Sequence, residues 1–257
     1  MRIAIIGSGN TATVLGRMIK GAGHTITGVY SKTLTHAQGL AVELNAQHSG
    51  GIENITQDAE LYIIAVTDDT ISEIAEKLKL PGKLVMHTSG SAPKSLLADI
   101  SEKFGVLYPL QSLRKEAKHQ PIIPLLIDGS DNAVKKEIKL LAESISSMVE
   151  EAGDERRLKL HLAAVMVSNF SNHLYSLTED FCGKENVPFK TLVPLIQEVA
   201  NRTAVYPSSS MQTGPAIRGD KSTIEKHLQL LAAYPLQMRV YEEITESITA
   251  FYEQERK

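Results

Sequence analysis

Six residues near the start of the chain, Gly7-Ser8-Gly9-Asn10-Thr11-Ala12, have the types and spacing that hold a diphosphate. Gly7 permits a sharp turn, Gly9 lets the main chain approach a pyrophosphate, and Ala12 is small enough for a helix to pack on a strand. The turn follows a continuous apolar run, Ile3 to Ile6, and opens a helix. The first amides of such a helix lack partners and lie at its positive end, so they attract an anion. The chemistry expected of this turn is dinucleotide binding.

A second strand, Thr25 to Tyr30, ends in Ser31-Lys32-Thr33. An NAD site usually places a carboxylate there for the ribose hydroxyls. Two hydroxyls and a cation suit the extra 2′-phosphate of NADP(H) instead, so NADP(H) is expected over NAD(H), with Lys32 as a plain solvent-facing strand cap the lesser alternative. From Met1 to Val42 there are four cations and no acid, within a chain of net charge −3. That asymmetry points to an anionic ligand held by the opening segment, or to chance.

Loops at the carboxyl ends of parallel strands face one crevice. Thr67-Asp68-Asp69, Thr88-Ser89-Gly90-Ser91 and Pro109-Leu110-Gln111-Ser112 occupy such places. Thr67, Ser89 and Gln111 are expected to touch cofactor or substrate, with the nicotinamide near Ser89 and Gln111. Asp69 either joins them or caps the following helix.

The elements that would carry these groups alternate. Strands are expected at 3–6, 25–30, 61–66, 84–87, 106–108 and 124–127, with a weak one near 47–55. Helices are expected after Gly9, over 36–45 and over 70–79. Such alternation builds an α/β domain with a doubly wound parallel sheet. After about Ala152 the texture becomes helical, so the expected domains are 1–152 and 153–257. Wound at 100° per residue, residues 154–182 gather Leu162, Ala163, Met166, Phe170, Leu174, Leu177 and Phe181 on one side. His161, Ser168, Asn172, Tyr175 and Glu179 fall opposite, with Asn169 on the flank.

The middle of that stripe is uncharged and hydrogen-bonding, which reads as a cleft wall or a partner contact, with a solvated face as the alternative. His161 is the expected proton-transfer group, helped by Asn169 or Asn172, with a structural histidine as the alternative. In Gln212 to Asp220, Arg218 would bind a substrate carboxylate or phosphate, or pair with Asp220. Ser222 with Glu225 makes a candidate capping box. No His, Cys or Asp cluster has metal-ligand spacing, and no nucleophile constellation stands out. The net charge argues against nucleic acid, and no apolar run nears the roughly 18 residues of a membrane span. The single cysteine, Cys182, fits a reducing compartment, and a cytoplasmic location is expected.

Together, Gly7-Ser8-Gly9-Asn10, His87-Thr88-Ser89-Gly90, Tyr108-Pro109-Leu110-Gln111, His161-Leu162-Ala163-Ala164, Ser168-Asn169-Phe170, Thr213-Gly214-Pro215, Arg218-Gly219-Asp220 and His227-Leu228 carry a resemblance. The N-terminal half is similar to the NADP-binding domains of deazaflavin-dependent NADP reductases, pyrroline-5-carboxylate reductases and β-hydroxyacid dehydrogenases. The whole chain resembles a narrower set of NADP oxidoreductases whose helical half has no assigned function. The resemblance implies a Rossmann domain, an all-α domain like that of 6-phosphogluconate dehydrogenase, and often a homodimer.

It supplies no substrate. Hydroxyacid-type relatives use a Lys early on the long helix, where this chain offers His161. The narrower set often has His where this chain has Tyr108, which gives no support to a proton relay there. The leading expectation is an NADP-dependent oxidoreductase moving hydride between NADPH and a small carbonyl or imine compound. The rival is an NADP(H)-binding redox sensor or scaffold without turnover.

Overall fold

Successive residues of a strand point to opposite faces of a sheet, and here both faces are covered. Ile3, Ile5, Leu61, Ile63, Leu84 and Met86 join one buried apolar cluster, while Ala4, Ile6, Tyr62, Ile64 and Val85 join another. Continuous apolar strands are what a sheet sandwiched between helices requires. The chain is described from a computed structural model that covers residues 1–117 and 121–254.

The strands are β1 (Arg2–Ile6), β2 (Thr25–Tyr30), β3 (Gln47–Ser49), β4 (Leu61–Ile64), β5 (Leu84–His87), β6 (Phe104–Pro109), β7 (Leu125–Gly129) and β8 (Val149–Glu151). They form one sheet in the order β3-β2-β1-β4-β5-β6-β7-β8. All pairings are parallel except that of β6 with β7. The β6–β7 connection contains no helix among its described residues, so no crossover unit returns the chain in parallel. Helices α1 (Asn10–Gly21), α2 (Leu34–Leu44), α3 (Asp68–Lys77) and α4 (Asn132–Ile145) supply the remaining layers. Strand β8 has no counterpart in the sequence reading, because Val149-Glu150-Glu151 is short and mostly charged.

Two compact units divide at Asn169 and Phe170, beyond the boundary at 152 expected from texture. The reason lies in the first turn of α5 (Asp154–Ala164). Arg157 is fully buried and donates through Nη2 to the Ala92 carbonyl and to Asp154 Oδ1, which also accepts from the Lys94 amide. The start of the helix is thereby bonded to the loop after β5.

Residues 154–182 do not form one regular helix. A π-helical stretch, Val165–Phe170, separates α5 from α6 (Ser171–Lys184). Its wider turn breaks the 100° winding, so the faces drawn from the sequence do not carry through it. The expected apolar side is also not buried: Leu162, Met166 and Phe170 are 61%, 57% and 57% exposed.

The second unit contains α6, α7 (Val193–Arg202), α8 (Pro215–Arg218), α9 (Lys221–Leu231) and α10 (Pro235–Gln254), with no strand among its described residues. Asp220 caps α9, accepting from the Thr223 amide at 3.1 Å and the Thr223 hydroxyl at 2.7 Å. Those bonds, rather than a capping box at Ser222, satisfy the helix start. They lead the causes that hold the Asp220 carboxyl below its usual range; the Arg218 charge contributes less.

Candidate active site

The turn between β1 and α1 is forced by packing. Gly7 has φ +125°, and a Cβ there would lie 2.1 Å from the Ala65 carbonyl oxygen. Its amide donates to the Tyr30 carbonyl at 2.8 Å, which ties the turn to the end of β2. At Gly9 a Cβ would meet nothing within 4 Å, so this main chain is open to a ligand. Gly9 is the N-cap of α1, no side chain caps the helix, and no acid lies in its first turn. The amides ahead of Thr13, the first to bond back to Gly9, are therefore free to meet an anion.

A cleft of about 560 Å³ runs past this turn. Gly7, Ser8, Gly9, Asn10, Thr11, Ser31, Lys32, Thr67 and Ser89 all line it. Of the other expected cofactor residues, Ala12 is buried behind the turn and Thr33 is the exposed N-cap of α2. At one end, Ser8 Oγ donates to Ser31 Oγ at 2.9 Å, and Lys32 Nζ reaches Glu73 at 2.7 Å. That bond holds the Glu73 carboxyl below its usual range and the Lys32 ammonium above its own.

The +4 opening segment does not act as one field. Arg17 pairs with Glu43, Lys20 donates to the Glu43 carbonyl, and Arg2 pairs with Asp58. Only Lys32 among the four lines the cleft. Sequence proximity is not spatial proximity when a helix and strand carry the residues apart.

At the other end the loop after β5 is wound tightly. Ser89 Oγ accepts from the amides of Ser91 and Ala92, and Ser91 Oγ donates to Asp68 in the first turn of α3. Thr67, not Asp69, is the N-cap of α3. A Cβ on Gly90 would lie 2.7 Å from the His161 ring and 2.9 Å from Tyr108 Cζ. Only glycine allows these two rings to rest on the loop. Tyr108 Oη and His161 Nδ1 are 2.9 Å apart, with the rings edge to face.

A second cleft, of about 550 Å³, shares Thr11, Thr88, Tyr108 and His161 with the first. Gln111, Ser168 and Asn169 line this second cleft, and Ser112 Oγ meets Ser168 Oγ at 2.7 Å. Gln111 thus sits beside the first cleft's end rather than within it. Its side-chain oxygen accepts from the Ser112 amide. Asn172 and Arg218 belong to the second unit.

Sequence reasoning missed Tyr108, Asp68, His87 and Arg157. The signals for Tyr108 were its place at the carboxyl end of a strand and its membership of the Tyr108–Gln111 motif, where relatives often have His. Nothing in the sequence marks Arg157 as buried. His87 is fully buried and accepts the Ser89 amide through Nδ1. Burial first, and the Arg157 cation second, push it down to about 4.

A strand, a glycine turn with bare amides and a helix, on a doubly wound sheet, define a Rossmann-like protein. Residues 1–111 match the Rossmann-like domain, and residues 123–248 match domain of unknown function 2520. A crystal structure from Bacteroides fragilis, provisionally described as an NADP oxidoreductase, superposes with TM-score 0.91 at 35% identity, covering 97% of this chain and 98% of that one. The chain belongs to the family of that protein.

Two more distant structures share the fold. An imine reductase from Myxococcus stipitatus in complex with NADP+ has TM-score 0.71 at 14% identity, over 99% of this chain and 95% of its own. The 1-pyrroline-5-carboxylate reductase of Streptococcus pyogenes has TM-score 0.63 at 12% identity, over 97% and 98%. No protein of curated function matches the chain by sequence.

Proposed function

We propose that this chain is an NADP-dependent oxidoreductase acting on a small carbonyl or imine compound. The observation that carries the reading is the open, uncapped start of α1 at Gly9, in a cleft with Lys32 at one end and His161 at the other. The free amides suit the diphosphate, and Ser31 and Lys32 suit the 2′-phosphate. The bound dinucleotide would supply or accept a hydride. The chain's own contribution is to bind it, orient it and manage a proton at His161, with Asn169 beside the substrate. Asn172 and Arg218 are proposed as substrate-orienting groups on their own unit. Family membership with the Bacteroides fragilis protein, and the NADP+ held by the imine reductase, support the same cofactor.

A homodimer belongs to the proposal as well. Leu162, Met166, Val167, Phe170, Leu195 and Val199 are more than half exposed in the single chain, more apolar surface than a soluble monomer usually leaves open. We assign the protein to the cytoplasm on its single cysteine. Among the described residues, no helix is long and apolar enough to cross a membrane.

Calorimetric titration with NADPH and NADH tests the cofactor assignment. Lys32→Ala is expected to weaken NADPH by roughly tenfold, the loss of a charge-assisted phosphate contact, and to leave NADH unchanged. Equal losses for the two would refute the role of Lys32, and no binding of either would end the oxidoreductase reading.

A further inference from the structure

We infer that Tyr108 is the catalytic acid of this site, and that the part of the substrate it meets is an uncharged ketone or aldehyde. The inference rests on the oxidoreductase reading above and names the group that would finish its chemistry.

Tyr108 and His161 both line the cofactor cleft and the neighbouring cleft, so the phenol and imidazole stand where the two spaces join. A group that passes a proton to a substrate reduced by a dinucleotide must touch both. The second cleft is lined by Leu160, Ala163, Val165, Val167, Gln111 and Asn169, among others, with no Asp, Glu, Lys or Arg among the described residues. A charge carried by that part of the substrate, an iminium included, would meet no counter-charge among those residues, at the cost that burying an unpaired charge carries. A neutral carbonyl needs apolar walls, a few hydrogen-bonding groups and one proton donor.

The balance is simple. The bound dinucleotide would supply the hydride for the new C–H bond, leaving the carbonyl π pair on oxygen. Tyr108 Oη gives that oxygen its proton. His161 Nδ1, 2.9 Å away, returns a proton to the phenolate, and His161, itself partly exposed, is resupplied from water. The net change is carbonyl plus NADPH plus one solvent proton to alcohol plus NADP+.

The surroundings keep the phenol loaded. Burial raises Tyr108 above its usual range; the Arg157 cation on α5 opposes this, and Asp68 on α3 adds to it. Gly90 closes the floor beneath both rings.

The test uses the full chain with cyclohexanone and benzaldehyde as probes. Tyr108→Phe is expected to lower kcat by roughly 100-fold or more, the contribution of a positioned acid, with NADPH affinity by calorimetry unchanged. Incorporation of 3-fluorotyrosine at position 108 keeps the shape but makes the phenol more acidic. It should draw the alkaline limb of the kcat profile to lower pH. In the ligand-free protein its 19F resonance should titrate above free 3-fluorotyrosine, and His161→Gln should move that midpoint.

A Tyr108→Phe enzyme that still turns over, or an alkaline limb that stays in place with fluorotyrosine, overturns the assignment. If Tyr108→Phe fails to fold, the fluorotyrosine arm decides alone. A protein that binds NADPH yet consumes it with neither probe overturns this inference and leaves the cofactor reading standing. A protein that binds no NADPH removes both.

Discussion

The two compact units solve the same problem differently. In Met1–Asn169 the sheet is buried on both faces, and dozens of apolar side chains are closed off from water. In Phe170–Lys257 only Cys182 and Ala216 are buried among the described residues, while Val193, Leu195, Val199, Leu230 and Ile244 are exposed. A unit of that size with so little interior does not offset its conformational entropy alone. The first unit carries its core within itself, and the second has its apolar surface ready for a partner. That contrast supports placing the catalytic geometry in the first unit, where side chains are held, and the proposed assembly contacts on exposed apolar residues of both units, from Leu162 to Val199.

The largest expected effect strikes the proposed partner surface. Phe170→Glu combined with Leu195→Glu should convert a dimer to a monomer in sedimentation equilibrium and reduce helical circular dichroism. An unchanged mass would remove the partner explanation for the open second unit. By contrast, Ile63→Ala, in the first unit's core, should cost about 2–5 kcal/mol in denaturant unfolding without altering assembly.

Next comes the junction at Arg157. Arg157→Ala should cost about 3–5 kcal/mol, because a fully buried cation leaves behind a cavity and an unpaired Ala92 carbonyl. Arg157→Met fills the space and should cost less. Equal and small losses would mean that α5 does not depend on the loop after β5.

A third measurement is pH. Folded His87 has a pKa of about 4, against roughly 6.5 in an unfolded chain. Between those values the unfolded chain binds a proton that the folded one refuses. Stability at pH 7 therefore includes a contribution that falls away from about pH 6.5 to 4, on the order of 3 kcal/mol in all. Arg157, Asp154 and Asp68 are the charged groups acting on that ring. Denaturant titrations from pH 7 to 4 should show wild type losing more than His87→Asn; parallel curves would contradict the buried, neutral imidazole.

The smallest effect concerns Glu73, whose carboxylate competes for Lys32. Glu73→Gln should tighten NADPH a little and leave NADH as it is. Weaker NADPH binding would show that Glu73 helps the site rather than opposing it.

Much of the first unit is legible in the sequence. Ile3 to Ile6, Leu61 to Val66 and Leu84 to Met86 are apolar without interruption, as a doubly covered strand requires, and each lies in a strand of at least four residues. The glycine turn was equally plain, since few local structures need Gly-x-Gly directly after such a run. The polar stripe on the long helix was half legible. His161, Ser168 and Asn169 do line one cleft, but the π stretch at Val165–Phe170 defeats any fixed angle per residue. The caps lie two residues before both Asp69 and Ser222, because Thr67 and Asp220 offer the same chemistry slightly earlier.

The order of residue types alone determined an α/β half with a phosphate-binding turn and a helical half after it, since periodicity and glycine placement are local properties of the chain. Which groups meet at the end of the cleft was decided only by the tertiary structure. Tyr108 and His161 are 53 residues apart, and nothing local brings a β6 phenol onto an α5 imidazole. Their meeting depends on a strand register, a glycine with room beneath two rings and a buried arginine fixing the start of a helix, all of them long-range contacts.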